Sequence, residues 1–186
     1  MAFKLKDYRK IIMKYTQTIL VIFILSFLMI SGCVSMPKGS RAAEPFSQEK
    51  YLGRWYEIAR MDFTQERNLD SVTAEYSLRE DGKIKVVNQG YNYKTGEWKR
   101  AEGKAAPVGN GNDGRLKVSF FGPFYSGYNV IAIDPDYKYA LVYGDNTKYM
   151  WLLSREKTMP EEVVNKYLQM ARGSGYKVEE LVWPKQ

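Results

Sequence analysis

Eight short β-rich segments, separated by turn sequences, follow one another between residues 53 and 155. Turns rich in Gly, Asn and Asp, such as 80–82, 109–114 and 144–146, recur every 8–14 residues. The predicted strands are 54–61, 71–79, 83–93, 98–107, 115–121, 128–133, 137–143 and 148–154. Apolar and polar residues alternate in several of them, which indicates a sheet with one buried face. Eight sequential antiparallel strands with short turns predict an all-β, up-and-down barrel, whereas a Greek-key sandwich requires longer crossovers.

The C-terminal part of the chain leaves the strand pattern. Residues 158–172 carry a stripe of Val164, Leu168 and Ala171, which predicts a helix that packs on the outside of the barrel. Thr158 and Glu161 have the spacing of a capping box, and Gly173 is suited to the end of the helix. Residues 176–183 then predict a short ninth strand.

The residue inventory excludes several kinds of site. The chain has no histidine and a single cysteine, Cys33, so it has no Ser-His-Asp triad, no Cys-His pair, no Cys/His zinc site and no internal disulfide. We therefore expect no metal, no cofactor and no catalytic residue. The net charge of +7 arises largely in residues 1–32, which have five basic side chains and one acidic one. Because the remaining 23 basic and 20 acidic residues are interspersed, nucleic acid is not a predicted partner.

The N-terminus has the pattern of a bacterial export signal. A basic stretch precedes an apolar run of twelve residues, 19–30, which is shorter than the roughly 20 residues of a spanning helix. The sequence Ile30-Ser31-Gly32-Cys33 resembles a lipobox. This resemblance implies that the signal peptide 1–32 is removed and that Cys33 is acylated. The alternative is an uncleaved membrane anchor with an incidental cysteine, because residues 15–37 carry no charge.

The same resemblance bears on location and domain organisation. Val34 stands where an aspartate would retain a lipoprotein at the inner membrane, which implies the outer membrane, with the protein lipid-anchored on its periplasmic face. Residues 33–45 are small and polar and contain proline, so they are predicted to be a lipidated N-terminus and tether. Residues 46–186 then form one domain.

Three motifs connect this domain with a known family. They are Gly53-x-Trp55, the turn Asp134-Pro135-Asp136-Tyr137, and Trp151-Leu152-Leu153-Ser154-Arg155. In this order and at this spacing the chain resembles a lipocalin, and in particular the bacterial outer-membrane lipocalins. The resemblance implies an eight-stranded antiparallel lipocalin barrel with a C-terminal α-helix and a short ninth strand. It also implies that Gly53, Trp55 and Arg155 close one end of the barrel, with Arg155 across the Trp55 ring.

A lipocalin barrel encloses a calyx, and strand alternation, in the phase that the resemblance sets, selects the side chains that face it. The predicted ligand-binding residues are Glu57, Ala74, Tyr76, Val86, Asn88, Val118, Phe120, Tyr128, Leu141, Tyr149 and Trp151, with Val72, Leu78, Leu116 and Val130 also facing inward. Glu57 is the unusual member. A buried acid must be protonated or hydrogen-bonded, and the region of Arg155 or a buried water is the expected partner.

The expected ligand is an amphiphile, a fatty acid or a lysophospholipid, with its tail inside the barrel. Its head group would meet one of four basic residues at strand ends, Lys85, Lys99, Arg100 or Lys104. The two partners expected are therefore this lipid and the membrane that holds the acylated Cys33. Two alternatives are a lipid-modifying enzyme that uses Glu57 with a tyrosine, and a structural envelope lipoprotein whose barrel is filled. The sequence leaves open whether the protein is a monomer or a homodimer.

Overall fold

The computed structural model describes residues 35–186. Its strands are β1 (Gly53–Met61), β2 (Leu69–Leu78), β3 (Ile84–Asn92), β4 (Glu97–Pro107), β5 (Arg115–Phe121), β6 (Phe124–Ile133), β7 (Tyr139–Tyr143), β8 (Met150–Ser154) and β9 (Leu181–Val182). Its helices are α1 (Gln48–Tyr51), α2 (Glu161–Gly173) and a 3₁₀ turn, Val178–Glu180. No helix within these residues has the length and apolar character needed to span a membrane.

The strands form one closed antiparallel barrel. Each strand from β1 to β8 pairs with the next, and β1 also pairs with β8, which completes the circle. The short β9 pairs with β1 at Arg60 and Met61. The predicted eight-stranded up-and-down barrel with a C-terminal helix and a ninth strand is therefore confirmed.

The two ends of the barrel differ. At one end, which we call the closed end, α1 and the buried ring of Trp55 lie across the barrel. The connections 62–68, 93–96, 122–123 and 144–149 all lie at the opposite, open end because neighbouring strands are antiparallel. β4 pairs with β5 only through Lys104–Pro107, and this register places residues 97–101 beyond the last residue of β5. The rim of the open end is therefore lower on the side of β5 and β6.

Two apolar clusters stabilise the barrel. The inner cluster contains Trp55, Tyr51, Tyr76 and Val86 at the lower part of the interior. The outer cluster lies between the barrel wall and α2, where Tyr143 and Tyr167 are members. Burying the apolar stripe of α2 on the wall is the main driving force for docking this helix.

Several element boundaries differ from those predicted. β6 begins at Phe124, four residues earlier than expected, and β9 has two residues preceded by a 3₁₀ turn. The predicted capping box is wrong, because Pro160 occupies the N-cap position and no side chain caps α2. The carbonyl of Thr158 instead accepts a hydrogen bond from Ser154 Oγ at 2.8 Å. The left-handed residue after α2 is Gly175, with φ of 85°, rather than Gly173.

The C-terminal residues close a gap in the barrel wall. β1 and β2 pair only through residues 53–56 and 73–76, so their upper halves separate. The side-chain amide of Gln186 donates to the carbonyl oxygens of Glu57 and Val72, one on each strand. Ser71 N donates to the Lys185 carbonyl at 2.6 Å. The tail thus supplies the bridging hydrogen bonds that the strands lack here.

Residues 35–46 lie along the outside of the barrel. Ser35 bonds to Asp145 at the open end through its backbone N and its Oγ, both at 3.2 Å. Further along, Ala43 N donates to the Val130 carbonyl at 2.8 Å, and Phe46 packs against Tyr51 at the closed end. The described part of the predicted tether therefore contacts the domain, whereas the predicted signal peptide 1–32 and Cys33 lie outside the described residues.

Candidate functional site

The barrel encloses a cavity, the calyx, that is wide at the open end and narrow below. Its upper part has a volume of about 540 Å³ and its lower part about 70 Å³. Both parts are bordered by Glu66, Val72, Asn88, Val118, Phe120, Tyr128 and Trp151, so they form one continuous space. A concave, mostly apolar site of this size with a few polar groups is typical of small-molecule binding.

Ten of the eleven side chains predicted to bind ligand border this cavity. They are Glu57, Ala74, Tyr76, Val86, Asn88, Val118, Phe120, Tyr128, Tyr149 and Trp151. Of the further residues expected to face inward, Val72 borders it, while Leu116 and Val130 belong to the packed inner cluster. That any of these residues contacts a ligand remains a prediction.

The predicted positions of Leu141 and Leu78 were wrong. Leu141 lies in the outer cluster, under α2, and Ala140 and Val142 face the interior instead. The reason is that β7 is buried on both faces, so its sequence has no polar residues that fix the phase of alternation. Leu78 is the last residue of β2, at the closed end, and is 62% exposed.

Three tyrosines form the floor of the calyx. Tyr76 donates its hydroxyl hydrogen to Tyr128 Oη at 2.8 Å, and the hydroxyl oxygens of Tyr128 and Tyr51 are 2.7 Å apart. Burial raises the pKa of all three phenols, so they stay protonated at neutral pH. Because these hydroxyl groups satisfy one another, the floor presents little free hydrogen-bonding capacity to a ligand.

A buried cluster of Glu57, Arg60 and Glu66 lies on one wall. Arg60 Nη1 donates to Glu57 Oε1 at 2.7 Å, and Nη2 donates to the Glu66 carbonyl at 2.6 Å. The Glu66 carboxylate accepts a hydrogen bond from Trp151 Nε1 at 3.2 Å. Of the two partners expected for Glu57, the region of Arg155 was wrong, because Arg60 binds this carboxylate instead.

The two carboxyl groups of this cluster interact with each other, so the protonation of one affects that of the other. Burial, followed by the nearby charge of Glu66, raises the pKa of Glu57 well above its ordinary value. Burial also raises the pKa of Glu66. We therefore expect the pair to hold one shared proton at neutral pH, with the guanidinium of Arg60 balancing the remaining negative charge.

Neither Arg60 nor Glu66 was predicted from the sequence to belong to the site. By simple alternation Arg60 falls on the outer face of β1, since it is three residues from Glu57. The pairing of β1 with β8 shifts register between Glu57 and Ala59, and this bulge turns both side chains inward. Glu66 lies in the β1–β2 connection, where no periodic pattern applies. The one signal in the sequence was Glu57. An acid that is predicted to face the barrel interior requires a partner such as a cation.

Trp55 and Arg155 close the lower end as the resemblance implied. The Arg155 guanidinium carbon is 3.8 Å from the centroid of the buried Trp55 ring, a cation–π contact. The guanidinium also donates to the carbonyl oxygens of Lys50, Leu52, Arg54 and Tyr137. Gly53 has φ of 92°, and a Cβ there would be 3.3 Å from Arg155 Nη1, so glycine suits this position.

The four candidate head-group residues differ in position. Lys99 and Arg100 border the mouth of the calyx, whereas Lys85 forms an ion pair with Glu102 and Lys104 lies over the outer ring of Tyr125. Arg100 also pairs with Glu102 at 3.3 Å. Within residues 35–186, Lys99 forms no ion pair. Of the four candidates, Lys99 is therefore the one that borders the mouth and is free to meet an anionic group.

Polar groups with unmet capacity are few inside the calyx. Asn88 Oδ1 is buried and has no hydrogen-bond partner within the described part of the chain, and it borders both parts of the cavity. It is an acceptor that a ligand hydroxyl could satisfy. No group of three or more acidic, His or Cys side chains in residues 35–186 is placed to hold a metal ion.

Known proteins match most of this chain. A family model described as a lipocalin-like domain matches residues 46–186. The outer membrane lipoprotein Blc of Vibrio cholerae is 46% identical over 167 residues, which cover 89% of this chain and 98% of that protein. Apolipoprotein D of Macaca fascicularis is 38% identical over 144 residues, covering 73% of this chain and 72% of that protein.

The fold comparison agrees. Insecticyanin from the tobacco hornworm Manduca sexta superposes with a TM-score of 0.66, at 18% identity, over 82% of this chain and 87% of that one. This likeness concerns the fold alone. Together with the match over residues 46–186, the closed barrel and its single calyx show that the chain belongs to the lipocalin family, with a site for a small hydrophobic ligand.

Proposed function

We propose that this protein binds a fatty acid or a lysophospholipid in its calyx while Cys33 anchors it in the outer membrane, on the periplasmic face. The observation that carries the proposal is the combination of a deep apolar calyx with an unpaired lysine, Lys99, at its mouth. An apolar tail gains roughly 0.8 kcal/mol for each CH₂ group that leaves water. A single-chain amphiphile is the ligand class that uses both features at once.

The charge arrangement favours entry with the tail first. Glu57, Glu66 and Arg60 together carry no net charge when the two acids share one proton, and they bond to one another, to Trp151 and to the Leu69 carbonyl. An anionic head group placed beside them would approach two buried acids and gain no free cation. At the mouth, by contrast, the head group remains in water and meets Lys99.

The relatives support the location. The Blc proteins of Vibrio cholerae and Escherichia coli bear the name outer membrane lipoprotein, and the latter is 46% identical over 162 residues. The lipobox sequence before Cys33 is consistent with the same location. Several acyl chains on one cysteine would hold the protein stably at a bilayer, which a single chain would not.

Lipid binding is tested on the protein lacking its leader. We would extract the purified protein with organic solvent, identify released lipids by mass spectrometry, and titrate it with fluorescent fatty acid and lysophospholipid. We expect saturable, one-site binding. A protein that contains no lipid and shows no saturable binding refutes the carrier function, and conversion of the added lipid would instead indicate an enzyme.

Head-group recognition is tested with a matched pair of variants. Lys99→Glu reverses the charge at the mouth, and Lys104→Glu makes the same change on the outer surface. We expect Lys99→Glu to weaken fatty-acid binding roughly 2- to 5-fold, the usual range for a solvent-exposed charge contact, and Lys104→Glu to leave it unchanged. Equal effects of the two variants would contradict a head group at Lys99.

A further inference from the structure

The chain joins the domain at the open end of the barrel. Ser35, the first described residue, bonds twice to Asp145, and its carbonyl accepts a hydrogen bond from Asn129 Nδ2 at 3.1 Å. Asp145 lies in the β7–β8 connection, which borders the mouth of the calyx. Only after this attachment does the chain run down the outside of the barrel to Phe46 at the closed end.

This attachment limits how far the mouth can lie from Cys33. Cys33 is two residues before Ser35 in the sequence, and two residues span at most about 7 Å. The closed end is farther by the length of β1, nine residues, or about 30 Å along the strand. A free segment 33–45 would allow any orientation, but the bonds of Ser35 and Ala43 to the barrel wall remove that freedom.

Large apolar side chains are exposed around the same end. Among residues 35–186, six of the nine exposed large hydrophobic side chains lie on strand ends at the mouth, namely Tyr93, Trp98, Phe120, Phe121, Phe124 and Tyr125. Phe121 is 82% exposed and Phe124 is 70% exposed. A concentration of this kind marks a surface that contacts something apolar.

Phe121, Phe124 and Tyr125, which we call the aromatic rim, lie on the same side of the mouth as Ser35, where the chain attaches. Gly127, three residues after Phe124 on β6, donates its N–H to Asp145 Oδ1 at 2.7 Å, and Ser35 N donates to that same oxygen. Lys104 and Lys117 place their ammonium groups 5.7 and 5.4 Å from the ring centre of Tyr125. Aromatic rings with neighbouring lysines are the composition that prefers the interface between lipid and water.

We propose that the mouth of the calyx faces the phospholipid bilayer, with Phe121 and Phe124 inserted in its interface, so that lipid passes directly between membrane and calyx. The partner of this surface is the membrane to which the chain is anchored. The inference deepens the proposed function and rests on the acylation of Cys33 within it. The rim of the open end is lowest on the side of β5 and β6. The opening of the calyx therefore meets the lipid where Phe121 and Phe124 enter it.

The orientation is tested with the full acylated chain in phospholipid vesicles. Cys33 is the only natural cysteine, so a second cysteine would be the sole free thiol once Cys33 is acylated. Phe121→Cys places a fluorescent label at the mouth, and Leu78→Cys places it at the closed end, on a side chain that is also exposed. We expect spin-labelled lipids to quench the label at 121 at least fivefold more strongly than the label at 78. Equal quenching, or stronger quenching at 78, would overturn the inference.

A second measurement asks whether the rim serves transfer. Phe121→Ser with Phe124→Ser removes the two exposed rings, and Leu78→Ser is the matched control. We expect the double variant to take up fluorescent lysophospholipid from vesicles five- to tenfold more slowly, a larger change than in its affinity for the same lipid in solution. An unchanged uptake rate would refute a role for the rim in transfer.

Failure of the inference is distinguishable from failure of the proposed function. Mass spectrometry of the N-terminal peptide reports acylation, and the solution titration reports lipid binding. An acylated protein that binds lipid but shows no preferential quenching at 121 leaves the function standing and overturns the orientation. An unacylated Cys33 overturns both the anchor and the orientation, and the mass spectrum identifies that case.

Discussion

Replacing Arg60 by methionine should reveal how the buried acids of the calyx are held. Arg60 is almost fully buried, and its guanidinium bonds to Glu57 Oε1 and to the carbonyl oxygens of Glu66 and Leu69. Methionine fills similar space without the charge. The variant leaves one negative charge, on the pair of Glu57 and Glu66, without a cation in a site shielded from water.

The folded variant can neutralise this negative charge by binding a second proton. In the unfolded chain the carboxyl group has its ordinary pKa of 4.5. Holding this proton at pH 7 costs about 3.4 kcal/mol, and the cost falls by about 1.4 kcal/mol for each pH unit below that. The lost hydrogen bonds to the two carbonyl groups add about 1–2 kcal/mol at every pH. We therefore expect a total cost of about 5 kcal/mol at pH 7 and about 3 kcal/mol at pH 5.5.

The number of protons bound by each state determines whether the variant loses stability as pH rises or falls. The folded variant holds one more proton than the folded wild type, and both unfolded chains hold the same number. Stability of the variant relative to the wild type must therefore fall as pH rises above 4.5. The chain has no histidine, so no side chain with an ordinary pKa titrates between pH 5.5 and 7.5 and obscures this trend.

The measurement is urea unfolding at pH 5.5, 6.5 and 7.5, followed by the fluorescence of the four tryptophans. The control is Arg60→Met combined with Glu66→Gln, which removes the charge that needs the second proton. We expect the destabilisation of this double variant to be independent of pH. A single variant whose cost is the same at all three pH values would refute the shared proton, and a cost below 1 kcal/mol throughout would refute the importance of the ion pair.

Three further variants test the closed end and the anchor. Trp55→Ala should lower the free energy of unfolding by roughly 3–5 kcal/mol, as truncations of large buried aromatics do, and an unchanged urea midpoint would contradict its place in the core. Arg155→Lys keeps the charge but cannot reach four carbonyl groups at once; we expect a loss of about 2 kcal/mol in the same assay, and wild-type stability would show that the hydrogen bonds matter little. Cys33→Ala should leave the protein unacylated, either soluble or as its precursor; unaltered fractionation with the outer membrane would exclude the lipobox interpretation.

Much of the barrel was predictable because its evidence is local. The turn sequences and the alternation in β2 and β5 specify where strands begin, end and face, and they need no information about distant residues. The stripe of α2 likewise predicted a helix on the wall, which Tyr167 and Ala171 confirm by their burial. Ten predicted residues border the calyx because β1, β2, β3, β5, β6 and β8 kept the phase of alternation there.

The misplaced residues have physical causes that the sequence does not show. Leu141 was assigned to the wrong face because β7 is covered by the calyx floor on one side and by α2 on the other. β6 was predicted too short because Phe124 and Tyr125 continue a strand next to a two-residue turn. The capping box at Thr158 failed because the helix starts after Pro160.

The sequence by itself determined the order of strands and the apolar character of the calyx, and its resemblance to a known family implied the closing role of Gly53, Trp55 and Arg155. Only the tertiary structure decided which cation balances Glu57, because the bulge after Glu57 and the connection that carries Glu66 bring together residues of different pattern. It also decided that the chain meets the barrel beside the mouth, through Ser35 and Asp145, which are 110 residues apart. Such contacts depend on how strands close in space, and no local pattern of residues encodes them.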